Sequence, residues 1–373
     1  MIADTVRMDA YVQALRRTVK PGSVVLDIGT GTGIFALLAC RLGARRVYAM
    51  EPSDAIHVAR DMARANGLAG SITFFQAMST EISLPEPADV IVSDLRDILP
   101  LHRHHLTSIA DARRRLLAPG GVLIPQRDTV WAACVEAPEL FRGIEKPWTD
   151  NRFGVDLRAG RRVLSNAWCK AYLKPEQMLT EPQHLTTLDY ATVESPNLAA
   201  EVSLPPARAG TAHGFCAWFD ATLAQGIEFS NAPGQPELVY GSAFFPWLEP
   251  VALIPGDTVT MTLTAKLVGD EYVWTWATRI LSGGEPRRVK ARFEQSTFFA
   301  DLRSPASLRR QAAGYVPSLS DDGVIDRLIL QMMGEAVPLG DIARRLARER
   351  PDRFAGWQDA LTRVGELSAK YSR

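Results

Sequence analysis

The 373-residue sequence predicts a Rossmann-like α/β domain, then an antiparallel β-barrel or sandwich, then a small helical C-terminal unit. Three observations carry this reading. From Ser23 to Pro125, short β-branched runs alternate with helical patterns, as parallel strands joined by crossover helices do. After Pro125 the apolar residues shift to a period of two, and from Ser304 they return to helical spacing. The expected units are therefore 1–125, 126–303 and 304–373. With 46% hydrophobic and 23% charged residues, each unit can bury a core.

The five parallel strands are "SVVLDIG" (23–29), "RRVYAME" (45–51), "SITFFQ" (71–76), "ADVIVSD" (88–94) and "GGVLIP" (120–125). In "TVTMTLTAKLVGDEYVWTWATRIL", Val259, Met261, Leu263, Ala265 and Leu267 share one face ahead of a Gly269–Asp270 turn, which predicts a hairpin. The helical pattern "LKPEQML" suggests an excursion from the barrel. In the last unit, Gly334 ends one helix and the stripe Leu339, Ile342, Leu346 marks the next.

Lys plus Arg equals Asp plus Glu, 42 each, so no global field draws the chain to nucleic acid or to an anionic membrane. The opening "MIADTVRMDAYVQALRRTVK" has no unbroken apolar core and reads as neither a signal peptide nor a span. Cys40, Cys134, Cys169 and Cys216 show no metal-ligand spacing and suit free thiols in a reducing compartment. A cytoplasmic location is expected.

"VVLDIGTGTGIFALLA" (24–39) holds the chemical signal. Glycines at 29, 31 and 33 end a strand and open a helix, leaving bare backbone for close ligand approach. The third glycine comes one residue too early for a dinucleotide turn, and Asp27 precedes the first. A carboxylate suits a ligand carrying an ammonium and a sulfonium better than one carrying phosphates. Glu51, at the end of the second strand, can accept both hydroxyls of a ribose. These features point to S-adenosylmethionine.

With these residues in place, the chain resembles the protein arginine methyltransferases. The likeness runs through "MIADTVRMDAYVQAL", "VVLDIGTGTGIFALLACRLGARRVYAMEPS", "ITFFQAMSTEISLPEPADVIVSDL", "RRRLLAPGGVLIPQRDTVWAA" and "WTDNRFGVDLR". The resemblance implies a class I methyltransferase domain, a following β-barrel and, at about 155–190, an arm that forms homodimers. It implies that Arg7 holds the cofactor carboxylate and that Gly29 and Gly31 pass under the methionine part. Glu51 would bind the ribose, Met78 and Ser79 would flank the adenine, and Asp27, Thr30 and Pro52 would complete the cofactor set. The arm residues Trp168, Tyr172, Leu173 and Met178 are expected to form an exposed apolar patch.

The sequence departs from the family at the acceptor. The loop "SDLRDILPLHRHHL" puts Asp94 and Arg103 where the family has two glutamates that clamp a guanidinium. The family's Thr-His-Trp triplet is missing from "PELVYGSAFFPW" (236–247), and its tyrosine-bearing lid helix is expected to be absent. Asp94 is expected to orient or deprotonate the nucleophile, His102, beside His104 and His105, to act as general base, and Arg103 to meet an acid group on the acceptor. The expected reaction is methyl transfer to an N or O nucleophile of a peptide or small-molecule acceptor other than a protein arginine. An arginine methyltransferase with a rebuilt clamp and an inactive cofactor-binding scaffold stay open as alternatives. The C-terminal "MMGEAVPLGDIARRLARERPDRF" faintly resembles winged-helix peptide-binding modules, against which a plain helical cap is the simpler reading.

Overall fold

The computed structural model describes residues 1–372 except 151, 285 and 303. Strands β1 (Val24–Ile28), β2 (Arg46–Met50), β3 (Ile72–Phe75), β4 (Ala88–Ser93) and β5 (Leu117–Ile124) form a parallel sheet in the order β3-β2-β1-β4-β5. Central β1 is buried along its whole length, which is why "VVLDI" runs apolar instead of alternating. Helix α1 (Thr5–Thr18) starts at Asp4, whose carboxylate accepts from Arg7 N at 3.1 Å. Its buried residues Arg7, Ala10, Tyr11, Ala14 and Leu15 fall at helical spacing on one face. Helices α2 (Ile34–Arg41), α3 (Ala55–Ala65) and α4 (His105–Arg115) follow β1, β2 and β4. The carboxyl ends of β1, β2 and β4 therefore deliver Gly29, Glu51 and Asp94 to one edge, the ligand edge of such sheets.

From β6 (Arg127–Val135) onward the chain is antiparallel. After α5 (Pro138–Thr149) and α6 (Arg158–Ser165) come β7 (Cys169–Ala171), β8 (Gln183–Asp189), β9 (Leu198–Ser203), β10 (Gly210–Ala224) and β11 (Ile227–Ser230). They continue with β12 (Ser242–Leu253), β13 (Thr258–Val268), β14 (Glu271–Leu281) and β15 (Val289–Ser296). One sheet runs β7-β12-β10-β6-β8 with β11 on β10, and the other runs β15-β14-β13-β9. They face each other through aromatics: Phe245 stacks on Phe215 at 4.7 Å and meets Trp276 at 5.3 Å. The β13–β14 hairpin pairs Val268 with Glu271 across Gly269 and Asp270, and Gly269 takes φ +63, as the first residue of a two-residue turn can when it is glycine.

Two expectations change here. The antiparallel sheets and the parallel sheet share one apolar core from Ala10 to Phe293, so Met1–Leu302 is a single compact unit. In the arm region, Trp168 stacks on Phe245, Leu173 is buried and Met178 packs against a side cluster of the antiparallel sheets, leaving only Tyr172 of the four exposed. Apolar side chains that looked free along the sequence are claimed by strands far from them in the chain. The "LKPEQML" excursion is one 3-10 turn, Pro175–Gln177.

The second unit, Arg303–Arg373, holds α7 (Pro305–Arg310), α8 (Asp321–Gly334), α9 (Leu339–Glu349) and α10 (Trp357–Tyr371). Its core is Ile325, Ile329, Met332, Ile342, Leu346 and Val364 with their neighbours. No strand occurs among its described residues, so it is a helical unit without a wing.

A buried ionic cluster joins the parallel sheet to the first antiparallel strand. Arg96 donates to Asp94 beyond β4 at 3.1 Å, to Asp128 of β6 at 2.9 Å and to the Tyr11 hydroxyl. The Tyr190 hydroxyl donates to the second Asp128 oxygen at 2.5 Å. Burial raises the Asp128 carboxyl above its usual range even with Arg96 opposing it. Removing one partner strands the other charge, so Asp128→Ala should cost about 3–5 kcal/mol in urea unfolding. Tyr190→Phe, which deletes one hydrogen bond to the same carboxylate, should cost about 1.5–3 kcal/mol, and the reverse order would refute this account.

Candidate active site

The edge where β1, β2 and β4 end opens into a cavity of about 830 Å³. Gly29, Glu51, Pro52, Met78 and Ser79 line one part of it, and Asp94, Arg96 and the histidines 102, 104 and 105 line another. The turn is held from behind. Gly29 N and Thr30 N donate to Met50 O at 2.8 and 2.9 Å, and Gly31 N donates to a Glu51 carboxylate oxygen at 3.1 Å. Ser53 N donates to the other Glu51 oxygen at 3.0 Å, which fixes the carboxylate at the rim while leaving lone pairs for further donors. Gly29 sits at φ +70, where an added Cβ would lie 2.3 Å from the Leu95 side chain.

Asp27 occupies a different place from the one expected of it. It is fully buried behind the turn and does not line the cavity; one oxygen accepts from the Thr30 hydroxyl at 2.5 Å and from Ala36 N at 3.0 Å. It holds the glycine turn and the first turn of α2, and Thr30 and Gly31 serve that same scaffold from off the cavity wall. Arg7 is likewise turned inward. It pairs with Asp94, donates to the Tyr240 hydroxyl at 3.0 Å and lies over the rings of Tyr11 and Phe35.

Asp94 lines the cavity as a committed anion. One oxygen accepts from Arg7 and, at 2.6 Å, from the Tyr240 hydroxyl; the other accepts from Arg96. Burial pushes its pKa up, but Arg96, Arg7 and the Tyr240 hydroxyl together hold it below the usual range. Tyr240 comes from the 236–247 segment, which lacks the expected triplet yet supplies this donor. Arg103 does not face Asp94. It is exposed, sits at φ +40 and lies against Glu271 at 3.6 Å.

The three histidines diverge. His102 Nδ1 lies 3.7 Å from Asp97, His104 Nε2 lies 2.9 Å from Asp270, and buried His105 meets Pro100 O through Nδ1 at 2.9 Å. Burial, with Arg96 adding to it, lowers His105 to about 3, so this ring is neutral and donates through Nδ1. Among the described residues no group of three or more His, Cys, Asp or Glu is arranged to hold a metal.

Sequence reasoning missed Arg96, Tyr240, Asp270 and Glu271. Of these, Arg96 alone carried a local signal, standing two residues after Asp94. Asp270 and Glu271 reach the cavity from the β13–β14 hairpin, and they change its charge. The wall carries four carboxylates (Glu51, Asp94, Asp270, Glu271) against the guanidiniums of Arg96 and Arg103, so it is net negative although Arg103 was expected to meet an acid there.

Residues 7–133 match the family described as ribosomal protein L11 methyltransferase, and residues 126–268 match the arginine methyltransferase oligomerization subdomain. Protein arginine N-methyltransferase PRMT10 of rice (Oryza sativa subsp. japonica) is 30% identical over 299 residues, covering 71% of this chain and 79% of that one. Probable protein arginine N-methyltransferase 6 of Arabidopsis thaliana is 29% identical over 248 residues; the match covers 63% of this chain and 55% of that relative. The crystal structure of Arabidopsis thaliana protein arginine methyltransferase 10 superposes with a TM-score of 0.70 at 25% identity, covering 80% of this chain and 96% of that one.

The buried Asp27 yields a test of the turn. Burial, opposed by the Thr30 and Ala36 hydrogen bonds, raises its carboxyl from 3.8 to about 7. The folded chain then keeps a proton that the unfolded chain releases near pH 4, so the stabilisation is full below that pH and lost as pH rises through about 7. In urea titrations the wild-type midpoint should fall relative to that of Asp27→Asn across this window and run parallel to it above. A constant difference from acid to alkaline pH would disprove the coupling.

Proposed function

The chain belongs to the protein arginine methyltransferase family of S-adenosylmethionine-dependent enzymes, and from that premise we propose that it methylates a guanidinium nitrogen of an arginine. This corrects the expectation of a non-arginine, acid-bearing acceptor. The relatives at about 30% identity are named arginine methyltransferases, and that finding overturns it. The observation that carries the proposal is the negative wall of the cavity, which favours a cation, joined to a cofactor cradle on the same cavity.

The cradle suits S-adenosylmethionine. Gly29 presents bare backbone, Met50 and Met78 offer polarisable apolar surface, Glu51 offers carboxylate lone pairs to a diol, and the buried Ser79 hydroxyl has no partner of its own. When bound there, the cofactor supplies a sulfonium methyl for direct displacement. The protein's part is positioning and water exclusion. Glu51 and the Gly29 turn orient the adenosyl end, and the Arg7–Asp94–Arg96 cluster keeps the floor rigid. His102, backed by Asp97, is the group set to take the proton that the methylated nitrogen releases. We further read the chain as a homodimer, from its match to the oligomerization subdomain. Four free cysteines fit a cytoplasmic location, and among the described residues no helix is long and apolar enough to cross a membrane.

With labelled S-adenosylmethionine, free arginine or arginine-rich peptides should yield methylarginine, and no product from either would overturn the reading. Glu51→Gln loses charge-assisted hydrogen bonds of about 1.5–3 kcal/mol, so calorimetry should show cofactor Kd rising roughly tenfold to a hundredfold. Light scattering should report about twice the 41.0 kDa chain mass, and a monomer at micromolar concentration would refute the dimer.

A further inference from the structure

Resting on the arginine-transfer reading, we infer that the acceptor's guanidinium is received by Glu271 at the β13–β14 hairpin tip, and that Arg103 occupies its seat as an internal competitor. The loop after β4 cannot supply a free carboxylate from Asp94, whose oxygens already take Arg7, Arg96 and the Tyr240 hydroxyl. Asp270 is engaged by His104 at 2.9 Å. Glu271 differs. It is 74% exposed along its side chain, and its approach to Arg103 Nε, at 3.6 Å, is too long for a charge-assisted hydrogen bond.

Beside the large cavity lies a smaller one of about 210 Å³, and the two share His102, Arg103 and Glu271. Trp168, Tyr272 and Trp274 wall the smaller cavity, and Asp97 contributes a second carboxylate. Aromatic faces with two acids form the surroundings that a planar guanidinium prefers, through cation–π contact and paired hydrogen bonds. These walls are fixed in place. Trp168 is edge-on to Trp274 at 6.1 Å and stacked on Phe245 at 5.8 Å, while the Tyr272 hydroxyl donates to Pro196 O at 2.7 Å. Glu271 is the first residue of β14, directly across the two-residue turn from Val268, so the hairpin register sets its position.

Arg103 carries the same guanidinium as the acceptor, at the mouth shared by both cavities, on a backbone held at φ +40. An acceptor arginine entering past Trp168 and Trp274 replaces Arg103 at Glu271 and brings its terminal nitrogens to the boundary with the cofactor cavity. The two side chains therefore act in opposite directions on acceptor binding.

The test titrates butylguanidinium into protein saturated with S-adenosylhomocysteine and, in parallel, measures methylation of an arginine-containing peptide. Glu271→Gln should raise the guanidinium Kd at least tenfold, and Arg103→Ala should lower it, with Tm and S-adenosylhomocysteine affinity unchanged in both because the two side chains are exposed. Equal binding by Glu271→Gln and wild type, or weaker binding by Arg103→Ala, overturns the assignment, as does a wild type that binds no guanidinium. If wild type binds butylguanidinium in this pattern but forms no methylarginine, the guanidinium seat stands and the arginine-transfer reading falls.

Discussion

The arrangement of the main unit depends on one buried cation. Arg96 lies out of water between Asp94, at the end of a parallel strand, and Asp128, on the first antiparallel strand. A guanidinium is stable there only if its donors are matched, and burial would otherwise push its pKa down; Asp128 and its other partners hold it well above the usual value. Meeting that condition brings the two sheets together. The Tyr11 hydroxyl accepts from Arg96 and the Tyr190 hydroxyl donates to Asp128, so α1 and the chain after β8 are tied to the same cluster.

This cluster also governs what the loop after β4 can do. An Asp94 held by Arg7, Arg96 and the Tyr240 hydroxyl is a rigid wall of the cavity rather than a free base. The negative potential open to a ligand lies instead at Glu51 and at the hairpin tip. A β-hairpin with a two-residue turn suits that duty, since its register leaves little freedom in where the tip points.

At the cofactor edge the division of labour is similar. Gly29 clears the way for a ligand, but Asp27 keeps the glycine turn in place through the one oxygen that Thr30 and Ala36 reach. Residues off the cavity wall position those on it, which is why a carboxylate read from the motif as a ligand contact turns out to brace the turn.

The periodicity of the sequence determined the parallel strands, the hairpin at Gly269 and the helical end, because strand and helix patterns are local and repeat within a few residues. The glycine turn with Glu51 was legible for the same reason, as both sit at strand ends that topology brings together. Only the tertiary structure decided the use of Arg7, the partner of Arg103 and the sign of charge around the cavity. Tyr240, Asp270 and Glu271 lie far along the chain from Asp94, and nothing local shows that they meet it or its cavity. Coulomb energy depends on distance in space, so a loop whose own residues sum to neutrality can border a negative cavity once a distant hairpin folds against it.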